Sequence, residues 1–321
     1  MVNMSKKLLF AVHRYAPFPG GSENYVRDMA ECCVRMGHDV TVFAGQHMGD
    51  LNGVKVTSDG NIITQNFDLI IVHGAGIGLQ DFVLTNADKI SSPVLYMIIR
   101  PQEIEGAWAG LRNAKYIGVS TIEDTEYVNK HKVGYKAKRV IHGVDERITI
   151  GKPGFKEKYS INSPRMFLSC GGYWDNKAMK ELATLFNSLD IKDTVLVTTG
   201  YDNRSNLMPD RSDKVIPLLI DDRADVLSAI VESDLYIMHS YVEGFGLVLL
   251  ESMLNKTPWA ARFGSGARLL QAHGFTYKND SQLIEYLNNF TPSTKQIEIA
   301  YEHVKQYHMI ENTVNDILNL I

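Results

Sequence analysis

Short apolar runs of four to six residues recur along this chain in alternation with helical segments, several of them followed by a glycine-bearing loop, and the pattern starts twice. Residues 7–12 (Lys-Leu-Leu-Phe-Ala-Val) read as a buried strand. A loop with Pro17, Pro19, Gly20 and Gly21 follows, and Ser22 can cap the next helix. That helix carries Tyr25, Val26, Met29, Ala30, Cys33 and Val34 on one side and stops at Gly37. Residues 38–44 form a second strand, completing the strand–helix–strand unit from which parallel sheets are built. Further strands are predicted at 68–73, 94–99, 116–119 and 140–141.

Residues 149–163 are polar, hold Gly151, Pro153 and Gly154, and read as a linker. The alternation then restarts. Strands are predicted at 165–170, 194–199, 214–217, 234–238 and 257–261, with a helix over 177–189 and terminal helices over 281–290 and 296–320. The pattern predicts an α/β chain of two Rossmann-like doubly wound domains facing each other across a cleft. Their expected extents are 1–148 and 164–300, with 301–321 a C-terminal helix packing back on the N-terminal domain. The 321 residues suit two domains better than one core.

Charge and cysteine content narrow the function. A net charge of -4, with both signs interspersed, gives no electrostatic case for a large nucleic-acid footprint. Cys32, Cys33 and Cys170 have neither zinc spacing nor a disulfide framework, so a reducing, cytoplasmic location fits. No apolar stretch has the length of a membrane span.

Two glutamates carry the chemistry. Glu243 and Glu251 are separated by seven residues in Ser-Tyr-Val-Glu-Gly-Phe-Gly-Leu-Val-Leu-Leu-Glu, residues 240–251. The first lies in a glycine-rich turn after an apolar strand. The second lies on a helical face otherwise made of Leu247, Leu250, Met253 and Leu254. A carboxylate there is costly without donors, which sugar or ribose hydroxyls would supply. An exposed Glu243 and a Glu251 satisfied by some core partner is the competing reading. Gly20-Gly21 and Gly171-Gly172 each precede a helix N-terminus, where amides and the helix dipole suit a phosphate. A glycine pair alone more often marks a tight turn. The first loop is not G-x-G-x-x-G, and no acidic residue ends the second strand, which argues against a nicotinamide site. Lys177, at the mouth of the second-domain helix, suits a diphosphate or is an ordinary surface lysine.

These residues resemble, over nearly the whole length, the retaining GT-B fold glycosyltransferases of the family 4 type, the glycosyl transferases group 1. Pro19-Gly-Gly-Ser-Glu23 resembles their first glycine loop, and Gly37-His-Asp-Val-Thr-Val their "GHEVTV" strand. Gly118-Val-Ser120 resembles "VS", and His142-Gly-Val-Asp145 resembles "NGVD" with histidine for asparagine. Residues 170–177 resemble "VGR…K", residues 240–251 match the glutamate pair in full, and Gly264-Ser-Gly266 resembles the closing glycine segment.

The resemblance implies a metal-independent enzyme without a cofactor, which moves a sugar from a nucleotide diphosphate sugar to a hydroxyl acceptor with retention. Glu243 would contact the donor sugar near its anomeric carbon and act as the catalytic residue. Glu251 would hold the ribose hydroxyls. Phe245, Gly246 and Leu247 would offer backbone amides, and Gly21, Gly172 and Lys177 would serve the departing phosphates. His73 and Arg100 are candidates for the acceptor or sugar side, with a structural role for His73 favoured. The acceptor is open among glycan, protein, small molecule and modified nucleobase. An arginine common in the family is absent at Gly172, with Arg14, Arg262 or Arg268 as possible replacements. That departure keeps two alternatives open: a nucleotide-sugar isomerase or hydrolase on the same fold, and a non-catalytic nucleotide-sugar binding protein.

Overall fold

The structure is a computed structural model that describes residues 4–74, 78–99, 107–202 and 206–321. The chain forms two compact units. One comprises Met1–Val144 with His308–Ile321, the other Asp145–Tyr307.

In the first unit, seven strands among the described residues make one parallel sheet. They are β1 (Lys7–Arg14), β2 (Asp39–Gln46), β3 (Lys55–Thr57), β4 (Leu69–His73), β5 (Val94–Met97), β6 (Tyr116–Val119) and β7 (Ala137–Arg139). Their order is β3-β2-β1-β4-β5-β6-β7. The helices are α1 (Gly21–Arg35), α2 (Gly78–Thr85), α3 (Ala107–Asn113) and α4 (Ile122–Lys130). Leu8, Leu9, Phe10 and Ala11 of β1 are fully buried, so the uninterrupted apolar run at the sheet centre is covered on both faces. The strand order reverses between β1 and β4, and the loops after these two strands hold Gly20-Gly21 and Gly74. A strand expected at 140–141 lies instead at Ala137–Arg139, and the short edge strand β3 carries no alternation by which to recognise it.

The second unit opens with two short helices, α5 (Glu146–Thr149) and α6 (Phe155–Lys158). Six parallel strands follow: β8 (Arg165–Gly171), β9 (Thr194–Gly200), β10 (Val215–Leu219), β11 (Leu235–Met238), β12 (Trp259–Arg262) and β13 (Phe275–Tyr277). Among the described residues their order is β10-β9-β8-β11-β12-β13. The helices are α7 (Met179–Asn187), α8 (Arg223–Glu232), α9 (Leu247–Leu254), α10 (Ser265–Leu269), α11 (Asp280–Asn288) and α12 (Thr294–Tyr307). Phe167 of β8, Leu196 of β9 and Ile237 of β11 pack with Phe186 and Leu182 of α7 in one core. Residues 149–163, expected as a linker, lie within this unit. Phe155 is buried, and the amides of Gly154 and Lys156 donate to the Glu232 carboxylate at 2.9 and 2.6 Å. The polarity of that stretch serves hydrogen bonds to the domain rather than exposure to water.

The expected helix over 296–320 is two helices. α12 stops at Tyr307, and α13 (Ile310–Leu318) belongs to the first unit. Between them the backbone is extended at Met309 (φ -83°, ψ 148°). The Val144 amide donates to the His308 carbonyl at 2.9 Å, and the Ile310 amide donates to Val144 at 3.0 Å. These bonds use the groups that a continuous helix would need for itself. α13 buries Ile310, Val314 and Ile317, and Asp316 accepts the Ile141 amide at 2.9 Å.

Candidate active site

The carboxyl end of the second unit's sheet gathers two acid–base pairs. β11 ends at Met238, and the chain turns through residues 239–246 before α9 begins. The turn depends on Gly246, whose φ of 83° and ψ of 58° are left-handed. It depends also on Gly266, where a Cβ would collide with the Phe245 carbonyl oxygen. Ser265 Oγ donates to the Glu243 carbonyl at 2.8 Å, so the glycine segment 264–266 braces the turn.

Glu243 points toward the loop after β8. Its Oε1 receives Ser240 Oγ at 2.6 Å and lies 2.5 Å from Lys177 Nζ. Lys177 ends a short 3-10 turn at Asp175–Lys177. Backbone bonds stitch this turn to the other loop: the Tyr241 amide donates to the Asn176 carbonyl at 2.8 Å, and Asn176 Nδ2 donates to Val242 at 3.3 Å. The Phe245 side chain is buried in the domain, while Gly246 and Leu247 stand at the helix start. α9 has no acidic residue in its first turn and no side-chain cap, and of its first amides Leu249 donates to the Gly246 carbonyl at 2.9 Å.

Glu251 lies in the middle of α9 and is buried. Its Oε1 lies 3.0 Å from Nη2 of Arg223, the first residue of α8. All four side chains of the two pairs are only one-tenth to one-quarter exposed. Cys170, on β8, senses both carboxylates. Burial above all, and then the Glu251 charge, push its thiol up to about 12; Glu243 adds to the shift and Lys177 opposes it.

The glycines after β8 have separate causes. Gly171 has φ 153°. At Gly172 a Cβ would lie 2.7 Å from Trp174 Cε2. The Trp174 indole therefore fills the space that a side chain at 172 would enter, and its edge meets Tyr201 at 5.7 Å between ring centroids.

In the first unit, Gly21 begins α1 and Gly20 precedes it at φ 152°. Arg14 Nη2 lies 2.7 Å from Glu23 Oε1, in the first turn of the same helix. His73 ends β4, is buried, and lies 5.3 Å from the Tyr25 ring. Its Nδ1 has no hydrogen-bond partner among the described residues, and burial holds its pKa down to about 3. His142, in the position where the family motif has asparagine, shares a 3.0 Å hydrogen bond with the Tyr25 hydroxyl. Burial holds its pKa also at about 3. Arg100 lies outside the described residues.

Of the arginines considered for the vacant role at 172, Arg14 is held by Glu23. Arg262 Nη2 bonds His239 Nε2 at 2.9 Å and Asp280 at 3.3 Å, with its guanidinium over Tyr241. Arg268 lies in α10. Sequence reasoning did not single out Arg223, Ser240, Ser265 or Trp174. Arg223 follows Asp222, which caps α8 through the Ala224 amide at 2.9 Å. That capping pattern was the only available sign of its position.

The family model described as glycosyl transferases group 1 matches residues 152–302. No curated protein is matched by the chain. Among solved structures, HepE from Anabaena in complex with UDP-glucose is similar at 15% identity and TM-score 0.77, covering 98% of this chain and 100% of that one. Sucrose-phosphate synthase from Thermosynechococcus elongatus is similar at 14% identity and TM-score 0.76, covering 98% of each chain. WaaG, a glycosyltransferase involved in lipopolysaccharide biosynthesis, is similar at 17% identity and TM-score 0.73, covering 96% of this chain and 98% of that one. At these identities the likeness is one of fold. Among the described residues no helix is long and apolar enough to cross a membrane.

Proposed function

We propose, from the match of residues 152–302 to the glycosyl transferases group 1 family model, a retaining, metal-independent transfer of a sugar from a nucleotide diphosphate donor to a hydroxyl acceptor. The observation that supports this reading most is the pair of largely buried acid–base contacts, Glu243–Lys177 and Glu251–Arg223, at the carboxyl end of one parallel sheet. The HepE structure holds UDP-glucose, which is the class of donor proposed here.

Breaking the sugar–phosphate bond leaves positive charge on the ring and negative charge on the diphosphate. Lys177 and the amides of Gly172, Phe245, Gly246 and Leu247 are assigned to the diphosphate and sugar oxygens. Preorganised donors of this kind contribute about 3–4 kcal/mol each in comparable sites. Glu243 is assigned to the sugar and Glu251 to the ribose. The acceptor oxygen bonds to the anomeric carbon on the face that the phosphate leaves, and its proton passes to the leaving phosphate oxygen. Glu243 suits a positioning and charge-stabilising role better than that of a free nucleophile, because Oε1 already receives Ser240 and Lys177. Gly21 is assigned to the donor side by resemblance alone, and His73 and Arg100 remain candidates for the acceptor side. Lys177 supplies positive charge for the diphosphate in place of a divalent ion on this reading. We place the reaction in a reducing cytoplasm, in keeping with three free cysteines.

A thermal-shift screen of nucleotide sugars, followed by mass analysis of products with a hydroxyl-acceptor panel, tests the proposal. Binding of one donor class and a product heavier by one sugar is the expected result. Binding without any product would favour the second reading, a nucleotide-sugar binding protein, which the loss of the arginine at Gly172 keeps in view. Full-rate donor hydrolysis without acceptor would favour a hydrolase.

A further inference from the structure

We propose that Arg223 supplies the second phosphate cation of the donor site, and that the unliganded site is held neutral by two internal ion pairs whose members the donor takes up in order. The inference rests on the donor site proposed above and adds a residue and a binding sequence to it.

A sugar nucleotide is a linear molecule: sugar, β-phosphate, α-phosphate, ribose, base. The site carries two acid–cation pairs. Glu243, assigned to the sugar, is 2.5 Å from Lys177, and Glu251, assigned to the ribose, is 3.0 Å from Arg223. Each carboxylate therefore holds the cation suited to the phosphate that is covalently next to its own substrate group. The β-phosphate hangs from the sugar and falls to Lys177. The α-phosphate hangs from the ribose and falls to Arg223.

Among the described residues, position 172 and two of the three arginines considered above are already committed. The Trp174 indole lies 2.7 Å from where a Cβ at 172 would stand, so that position cannot carry an arginine without moving the ring. Arg262 is bound to His239 and Asp280, and Arg14 to Glu23. Both pairs have the character that exchange requires. Their side chains are 11–21% exposed, dry enough for the charges to matter and open enough for a ligand to reach. Sugar and ribose hydroxyls donate to carboxylates, so each acid keeps a partner as its cation turns to a phosphate. The planar guanidinium fork can serve a carboxylate and a phosphate together.

Calorimetry with nucleoside, nucleoside monophosphate and nucleoside diphosphate in the uridine, adenosine and guanosine series separates the roles. For the series that wild type binds, Arg223→Gln should weaken monophosphate and diphosphate by about tenfold or more and nucleoside by less than about threefold. Lys177→Ala should weaken only the diphosphate by a comparable factor. Because Arg223→Gln strands the Glu251 carboxylate, the comparison is repeated as Glu251→Gln against Glu251→Gln/Arg223→Gln, where the same monophosphate loss is expected. Equal loss for all three ligands, or unchanged monophosphate binding, would overturn the proposal while leaving the transferase reading intact. Failure of wild type to bind any of the three series would remove both.

Discussion

The carboxyl ends of the two sheets are built from the same parts and differ in where the acids stand. Each has a central buried strand, a glycine pair and a basic–acidic contact. In the first unit the acid, Glu23, stands in the first turn of α1 itself, where it serves the helix dipole and Arg14 together. The helix N-terminus thus carries its own anion. In the second unit α9 has no acid in its first turn, and the carboxylates of Glu243 and Glu251 are matched to cations from other loops. His73 and His142 of the first unit are held neutral by burial, and burial with the Arg262 charge holds His239 of the second unit down to about 4. Glycine loops thus precede helix N-termini of different charge, so the loop alone does not mark a phosphate site.

That contrast can be broken experimentally, beginning with its largest consequence. Glu243→Ala should lower turnover by about 10²- to 10³-fold while nucleotide affinity moves much less. Steady-state transfer and calorimetry check this, and a similar collapse in Glu23→Ala would erase the distinction between the two ends. Glu251→Ala should weaken nucleotide binding by about ten- to a hundredfold, the range for hydrogen bonds to a charged group. An unchanged dissociation constant would remove Glu251 from the ribose.

The neutral histidines give the first unit an acid-sensitive stability. A folded-state pKa of about 3 lies below the unfolded value of about 6.5. The unfolded chain therefore binds the extra protons between these limits. Stability is fully present above pH 6.5 and is lost as pH falls toward 3, by about 1.4 kcal/mol per pH unit for each histidine. His73→Phe keeps a ring beside Tyr25 and should reduce that slope by one histidine's share in denaturant melts between pH 7 and 5. An identical slope would show that His73 is not neutral in the fold. The smallest effect is expected for Glu23→Gln, which should change nucleotide affinity by less than about twofold. A marked gain would reveal a phosphate site at Gly21 that Glu23 was masking.

Much of the molecule was legible before its coordinates. The apolar runs marked the strands of both sheet centres, because a strand buried on two faces cannot be polar. The edge strands β3 and β13 escaped, being three residues long with no alternation to betray them. The segment 149–163 looked like a linker because it is polar, yet the Glu232 carboxylate anchors its backbone. The break between α12 and α13 escaped for a related reason. Residues 296–320 have helical periodicity throughout, and only pairing with Val144 interrupts it.

The residues themselves determined the alternating α/β architecture, the two-domain division and the glutamates at 243 and 251, since periodicity and a carboxylate on an oily helical face are local properties. Tertiary structure alone decided which cation each glutamate meets, that Trp174 closes the space above Gly172, and that Arg14 answers to Glu23. Partners such as Lys177 and Glu243 lie 66 residues apart in the chain, and charge acts through space rather than along the backbone.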